Sequence, residues 1–264
     1  MRAWRDFDFF CNATATAKPT VAISACLNGE AVRYDGADQY LEAASTLLAQ
    51  HLTLHPICPE VGAGLSVPRP PVQLVKNSRG LNAIGRDDTK LNVSAALLHY
   101  RQQSLQQLQN SLCGYIFKSR SPSCGLGSTP IFNPEGQQID TGNGLQADYF
   151  LQHLPWLAFT EETALQSTQH CDQFIFRCLL AYDLQYATQQ TELTTIHHHY
   201  QFLIRTMDRP LQTQLATAVA NNNAGSYRTQ LMKGVSQMHC VQEKFTNNQG
   251  SREATPSEVA DKDR

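Results

Sequence analysis

No run of eighteen apolar residues occurs in the 264-residue sequence, so no segment is patterned to cross a membrane as a helix. The first nineteen residues lack the long apolar core of a secretory signal, although Arg2, Arg5 and few acids leave an organelle-targeting reading open. Charge is scarce as well. Only 17% of residues are charged and the formal net charge is −2, which excludes a generic polyanion binder. No Cys-x-x-Cys pair is present, and neither His170–Cys171 nor His239–Cys240 has a second pair at zinc-finger spacing, so an ordinary zinc ribbon or finger is excluded. What remains is a globular composition, 41% hydrophobic, long enough for one large or two ordinary domains. The expected location is the cytoplasm. Structural disulfides are rare there, so the eight cysteines call for metal ligation, catalysis or burial instead.

The chain is organised around Ser119-Arg120-Ser121-Pro122-Ser123-Cys124-Gly125-Leu126-Gly127, which follows a β-type run from Gly114 to Lys118. Proline before the thiol and glycines after it restrict the loop and leave room against its main chain. Two earlier stretches repeat the theme. Thr20 to Ala25 is a β-type run ending at Cys26, and Leu52 to Ile57 is another ending at Cys58-Pro59-Glu60. Asp38 is placed to cap a helix through about Gln50, with Leu41, Ala44, Leu47 and Leu48 on one face. A short run, Val72 to Val75, follows a Gly/Pro-rich loop. A long helix is then expected from about Asp88 to Leu112, burying Leu91, Leu98, Leu105 and Leu112 at seven-residue intervals.

Strand, thiol loop and helix in alternation predict an α/β fold with a parallel-type sheet and flanking helices, in which ligands bind at the carboxyl ends of the strands. Cys26, Cys58 and Cys124 each follow such an end, so they can converge although 32 and 66 residues separate them. Three thiolates form a soft metal site with one coordination position open. Thiolates without histidine suit an iron–sulfur cluster better than zinc. Between Val61 and Arg120 eight basic residues stand against Asp87 and Asp88, a local patch beside the Cys124 loop suited to an anionic ligand.

These motifs also carry a resemblance. Ile23 to Gly36 with its Cys26-Leu27-Asn28-Gly29 core, Cys58-Pro59-Glu60-Val61 with Pro68-Arg69-Pro70-Pro71, and Lys118 to Gly125 closely resemble the thiouracil desulfurase family, over about Thr20 to Leu165. The resemblance implies a [4Fe-4S] cluster held by Cys26, Cys58 and Cys124, whose fourth iron takes the sulfur of a thiolated pyrimidine. It implies non-redox desulfuration of free thiouracil or of 4-thiouridine in tRNA, with release of sulfide. Glu60 is the candidate general base and Ser121 holds the ring's polar edge or relays a proton, with Ser119 and Ser123 as alternatives. Asp35 and Glu30 are second candidates for acid or base. The competing reading of Glu60 is a carboxylate paired with Arg69 or Arg33.

Beyond Cys171 the texture becomes helical and Gln-rich: Asp172 to Gln189, Leu193 to Met207, Leu211 to Asn222 and Tyr227 to Lys244. This module, with Ile196-His197-His198-His199-Tyr200, resembles the helical domain fused behind desulfurase domains in tRNA 4-thiouridine desulfidases, in a shortened form. The expected organisation is therefore an extension over 1–19, an α/β domain over 20–165, a helical domain over 166–245 and a polar, disordered tail over 246–264. Adjacent histidines on a helix point about 100° apart, so the three favour a polar face or RNA contact over a metal. Cys11, Cys113 and Cys178 are assigned to extension or core. Neither DNA nor a membrane is expected as a partner, and the oligomeric state is left open. The alternative function is a non-catalytic iron–sulfur or zinc-binding redox sensor using the same thiols.

Overall fold

The structure is a computed structural model describing Phe10, residues 18–78 and residues 80–238. Cys11, Arg79, the His239–Cys240 pair, the end of the last expected helix and the tail lie outside the described residues. Four strands, β1 (Thr20–Ser24), β2 (Thr53–Ile57), β5 (Leu112–Phe117) and β8 (Ala158–Glu161), form one sheet in the order β2-β1-β5-β8, every pairing parallel. All six residues of β5 and the last four of β1 are buried, the signature of central strands covered on both faces. The chain leaves β1 to one side to make β2 and returns on the other side to make β5. The order therefore reverses beside β1, where parallel sheets open a crevice at their carboxyl edge.

A second sheet, β4-β3-β6-β7, is built from the hairpin of β3 (Val72–Asn77) and β4 (Gly80–Gly85) and the antiparallel pair β6 (Thr129–Phe132) and β7 (Gln138–Gly142), joined through a parallel β3–β6 contact. Only its first strand is legible in part as the run Val72 to Val75. Leu74, Ala83 and Ile131 pack there with Val93, Leu97 and Leu145 in a small core of their own.

The helices between strands differ from the expected ones. Asp38 does not cap a helix; its carboxylate accepts the Tyr40 amide in a local turn, and the chain then winds as a π-helix over Ala44–Leu48 and closes in α1 (Ala49–His51). Ala44 and Leu48 are buried as the pattern requires. Cys58 precedes a one-turn helix, α2 (Pro59–Gly62). The long helix, α3, spans Ser94–Leu108 rather than Asp88 to Leu112, with the Asn92 side chain accepting the Ser94 amide at its start. Its buried face is Ser94, Leu97, Ser104 and Leu105, so of the leucines expected on the core side of the helix Leu105 is buried there, Leu98 is half-buried and Leu91 lies before the helix begins. Leu112 belongs to β5 because a six-residue run buried on both faces is better satisfied by sheet pairing than by one more helical turn.

After α4 (Leu145–His153), the helices α5 (Thr168–Gln190), α6 (Leu193–His199), α7 (Gln201–Ile204), α8 (Arg209–Ala220) and α9 (Ala224–Ser236) complete the described chain. The expected single helix from Leu193 to Met207 is broken at Tyr200, whose hydroxyl donates to the buried Asp183 carboxylate on α5. One hydrophobic cluster runs from Val21, Ile23 and Ile116 on the sheet through Phe174, Cys178 and Leu180 on α5 to Leu215, Tyr227 and Leu231 on α8 and α9. The helical part thus shares its core with one face of the parallel sheet. Cys113, Cys171 and Cys178 are buried in that same cluster, as structural thiols.

Close approach of α5 to β5 depends on Gly114, where an added Cβ would stand 2.9 Å from the Cys178 Sγ and 2.8 Å from the Ala158 carbonyl oxygen. Gly114→Ala is expected to destabilise the chain by about 1–3 kcal/mol through overpacking, read as a lowered urea midpoint with unchanged slope. An unaltered midpoint would show that the two layers have slack.

Candidate active site

Each predicted thiol stands just past a strand of the parallel sheet. Cys26 lies in a 3-10 turn, Ala25–Asn28, directly after β1, and Gly29 ends that turn in the left-handed conformation (φ 90°) with its amide on the Ala25 and Cys26 carbonyls. Cys58 occupies the N-cap of α2 after β2, with Pro59 in the first turn, and its Sγ lies 3.9 Å from the Val32 carbonyl oxygen. Cys124 follows β5 in a loop whose turns are tied internally: the Ser121 hydroxyl accepts the Cys124 amide at 3.1 Å and the Ser121 carbonyl accepts the Gly125 amide at 2.9 Å. Gly144 presses on this loop so closely that an added Cβ would stand 2.5 Å from the Ser123 carbonyl carbon.

All three thiols line one cavity of about 500 Å³. Burial, and then the neighbouring Cys58, pushes Cys26 up to about 11; burial raises Cys58; burial, with Cys58 and Cys26 adding to it, raises Cys124 well above the ordinary thiol range. Three dry sulfurs within electrostatic reach of one another are a donor set that a cationic group would neutralise. Among the described residues no group of three His, Cys, Asp or Glu side chains could hold a single metal ion. A lone zinc needs every sulfur within about 2.3 Å of one point, whereas the irons of a cluster sit apart and take one thiolate each. Three thiols on one cavity wall, with no histidine among its lining residues, are the kind of donor set that suits an iron–sulfur cluster. The three histidines join no such group; His197 packs edge-on to Tyr227 and His199 edge-on to Tyr200.

Glu60 lines the same cavity, 9% exposed. Its Oε2 accepts the Arg69 Nε at 2.8 Å and lies 2.8 Å from Nη2, while Oε1 accepts the Ser123 hydroxyl at 3.0 Å. The ion pair with Arg69 weighed against its catalytic role is present, and it fixes the carboxylate inside the cavity wall. Arg33 instead pairs with the exposed Asp35, and neither Asp35 nor Glu30 lines the cavity. The three serines are sorted by their bonds. Ser119 Oγ donates to Glu162 at 2.6 Å and Ser123 Oγ donates to Glu60. Ser121 lines the cavity and accepts two backbone amides, from Ser123 and Cys124, which leaves its O–H as a donor.

The basic patch divides. Arg69, Arg86, Lys118 and Arg120 line the cavity and Arg33 joins them from the first loop, whereas Arg101 lies over the Tyr149 ring at 4.5 Å and donates to the Leu145 carbonyl. Arg120 sits in the left-handed backbone region (φ 59°), an uncommon conformation for a residue with a side chain, and its amide donates to Ser128 Oγ at 2.7 Å.

Two carboxylates at the end of β8 hold the Cys124 loop and are absent from the sequence reading. Glu162 accepts the Ser119 amide at 2.8 Å, the Ser119 hydroxyl and the Lys118 ammonium; Glu161 accepts the Leu126 amide and the Ser128 hydroxyl, both at 2.6 Å. The two acids thereby grip the loop on either side of Cys124. They lie 33 to 44 residues away in sequence from the groups they bind, with no motif spacing to give them away.

A thiol-walled cavity at the switch point of a parallel sheet, with a carboxylate and a hydroxyl set into the same wall, defines an α/β enzyme that works on a soft atom. The 2-thiouracil desulfurase family profile matches residues 21–162, more than half of the chain, and the chain belongs to that family. It is thus an enzyme acting on a carbon–sulfur double bond, and the non-catalytic sensor is set aside. Over 138 residues it is 28% identical to the uncharacterized protein YbbK of Bacillus subtilis (strain 168), covering 48% of this chain and 86% of that protein. A solved structure of the [4Fe-4S]-dependent thiouracil desulfidase TudS is 29% identical, with a TM-score of 0.45, covering 56% of this chain and 93% of that one.

Burial works to raise Glu162, but the bonds from Lys118 and Ser119 outweigh it and hold the carboxyl below its ordinary 4.5. The stabilisation is complete above the unfolded carboxylate range and is lost as pH falls through the depressed folded value. Glu162→Gln should therefore cost about 2 kcal/mol at pH 7, from charged hydrogen bonds, and progressively less toward pH 3. Urea unfolding at both pH values measures it; a penalty independent of pH would refute the role of the charge.

Proposed function

We propose that this chain replaces the sulfur of a thiolated pyrimidine by oxygen from water, at a [4Fe-4S] cluster held by Cys26, Cys58 and Cys124. The three thiols on one cavity wall, beside Glu60 and Ser121, carry this reading. A cluster held by these three thiolates would supply a soft Lewis acid for the thiocarbonyl sulfur. The residues do the rest. Pro59 at the start of α2 and the Arg69 fork set the Glu60 carboxylate two residues from one sulfur ligand, where it takes a proton from the attacking water. Ser121, its oxygen occupied by two amides, offers its proton to the ring's polar edge. The water oxygen becomes the ring carbonyl and the sulfur departs with the protons as hydrogen sulfide, so no electron is gained or lost overall. Membership of the 2-thiouracil desulfurase family supports the same chemistry here.

The substrate is a free thiopyrimidine or 4-thiouridine within tRNA. Arg33, Arg86 and Arg120 around the mouth favour an anionic carrier of the base, since arginine pairs well with phosphate. Arg79, part of the same basic stretch, lies outside the described residues, and Arg101 is committed to Tyr149 and Leu145. Among the described residues no helix is long and apolar enough to span a membrane, and the six described cysteines are free thiols, which suits a reducing cytoplasm.

Glu60→Gln is expected to keep its iron and lose turnover of 2-thiouracil by ~10²-fold or more, the scale of general-base removal. A brown, fully active variant after anaerobic reconstitution would reject the assignment. Arg86→Ala should weaken turnover of thiolated tRNA several-fold at low salt, less at high salt, and leave free 2-thiouracil unaffected. Equal loss on both substrates would argue against an RNA carrier.

A further inference from the structure

Six large hydrophobic side chains are exposed among the described residues, and of these only Tyr34 lines the cavity that holds the three thiols. Its ring is 40% exposed, yet the loop beneath it is tightly built. The Arg33 amide donates to the Ala37 carbonyl and the Gly36 amide to the Arg33 carbonyl, while Asp35 accepts both the Ala37 amide and the Arg33 guanidinium. The Tyr34 carbonyl accepts the Arg69 amide at 2.8 Å, so the ring is carried by the same residue whose side chain fixes Glu60. Val32, two residues earlier, faces the Cys58 thiol with its carbonyl. A mobile surface tyrosine would not need this anchoring. The Arg33 guanidinium lies over the ring 5.7 Å from its centroid, which leaves a second face to offer.

We propose that Tyr34 is a substrate-binding residue, on whose ring the pyrimidine of the substrate stacks inside the thiol-lined cavity. The inference rests on the desulfuration reading for the identity of the ligand. The geometry itself requires only a flat heteroaromatic guest. Stacking is indifferent to which atom the ring carries, so substrate and oxo product are held alike, and the soft sulfur alone distinguishes them. The loop's attachment to Arg69 and Cys58 means that the platform, the base and a ligand sulfur are placed by one set of bonds.

The test uses the full chain, reconstituted anaerobically, with Tyr34→Leu and Tyr34→Phe matched to the parent for iron content and thermal midpoint. KM and kcat for 2-thiouracil are measured together with the dissociation constant for uracil by equilibrium dialysis. Tyr34→Leu is expected to raise KM and the uracil dissociation constant by roughly tenfold each with kcat nearly unchanged, the scale of losing one base–aromatic stack. Tyr34→Phe, which keeps the ring, should restore both. Unchanged uracil binding and KM in Tyr34→Leu would overturn the stacking role while leaving desulfuration standing. A parent protein that binds no uracil and turns over neither 2-thiouracil nor thiolated tRNA would overturn both.

Discussion

Three sulfurs, each pushed above the ordinary thiol range chiefly by burial, are gathered on one wall, and the rest of the structure is arranged to keep them there. Parallel pairing does the first part of the work. With β1 in the middle and β2 and β5 on either side, the loops that follow the three strands have no choice but to emerge at the same edge. Local bonds then turn each sulfur inward: the left-handed Gly29 after Cys26, the proline-started turn after Cys58, and the serine that caps the amide of Cys124.

The thiol triad was legible because its signals are local. A β-type run followed by cysteine and a turn residue needs only a few adjacent positions to be read, and the common strand direction implied by alternating strands and helices supplies the convergence. The leucines at 91, 98, 105 and 112 misled for the opposite reason. Their spacing is regular, but Leu112 answers to the neighbouring strand β1, where it pairs with Thr20, and not to the helix before it. The second sheet escaped notice since β4 is a short run between two glycines, given its strand character by pairing with β3. Glu161 and Glu162 left no trace at all, because a side chain that binds the backbone of a distant loop imposes no periodicity on its own segment. The ranking of Ser119, Ser121 and Ser123 likewise needed the partners of each hydroxyl.

The helices after residue 166 read as a separate module by composition, yet Phe174, Cys178 and Leu180 complete the covering of the sheet face that carries Val21 and Ile23. A change in residue usage thus marks where the polar face of the molecule alters and not where its interior ends. The Tyr200 hydroxyl on the Asp183 carboxylate is a buried polar tie inside this region, and it sits where the helical path bends.

The Gly144 backbone lies against Ser123 and Cys124, and its amide donates to the Gly125 carbonyl at 2.7 Å. Gly144 comes directly after β7 and its short exit, so the outer sheet ends by leaning on the backbone of the loop that carries the last of the three thiols. During synthesis, Cys26 and Cys58 leave the ribosome well before that support exists. The loop of Cys124 is therefore backed by chain that follows it, so the third thiol takes its final place after the segment through Gly144 has been made.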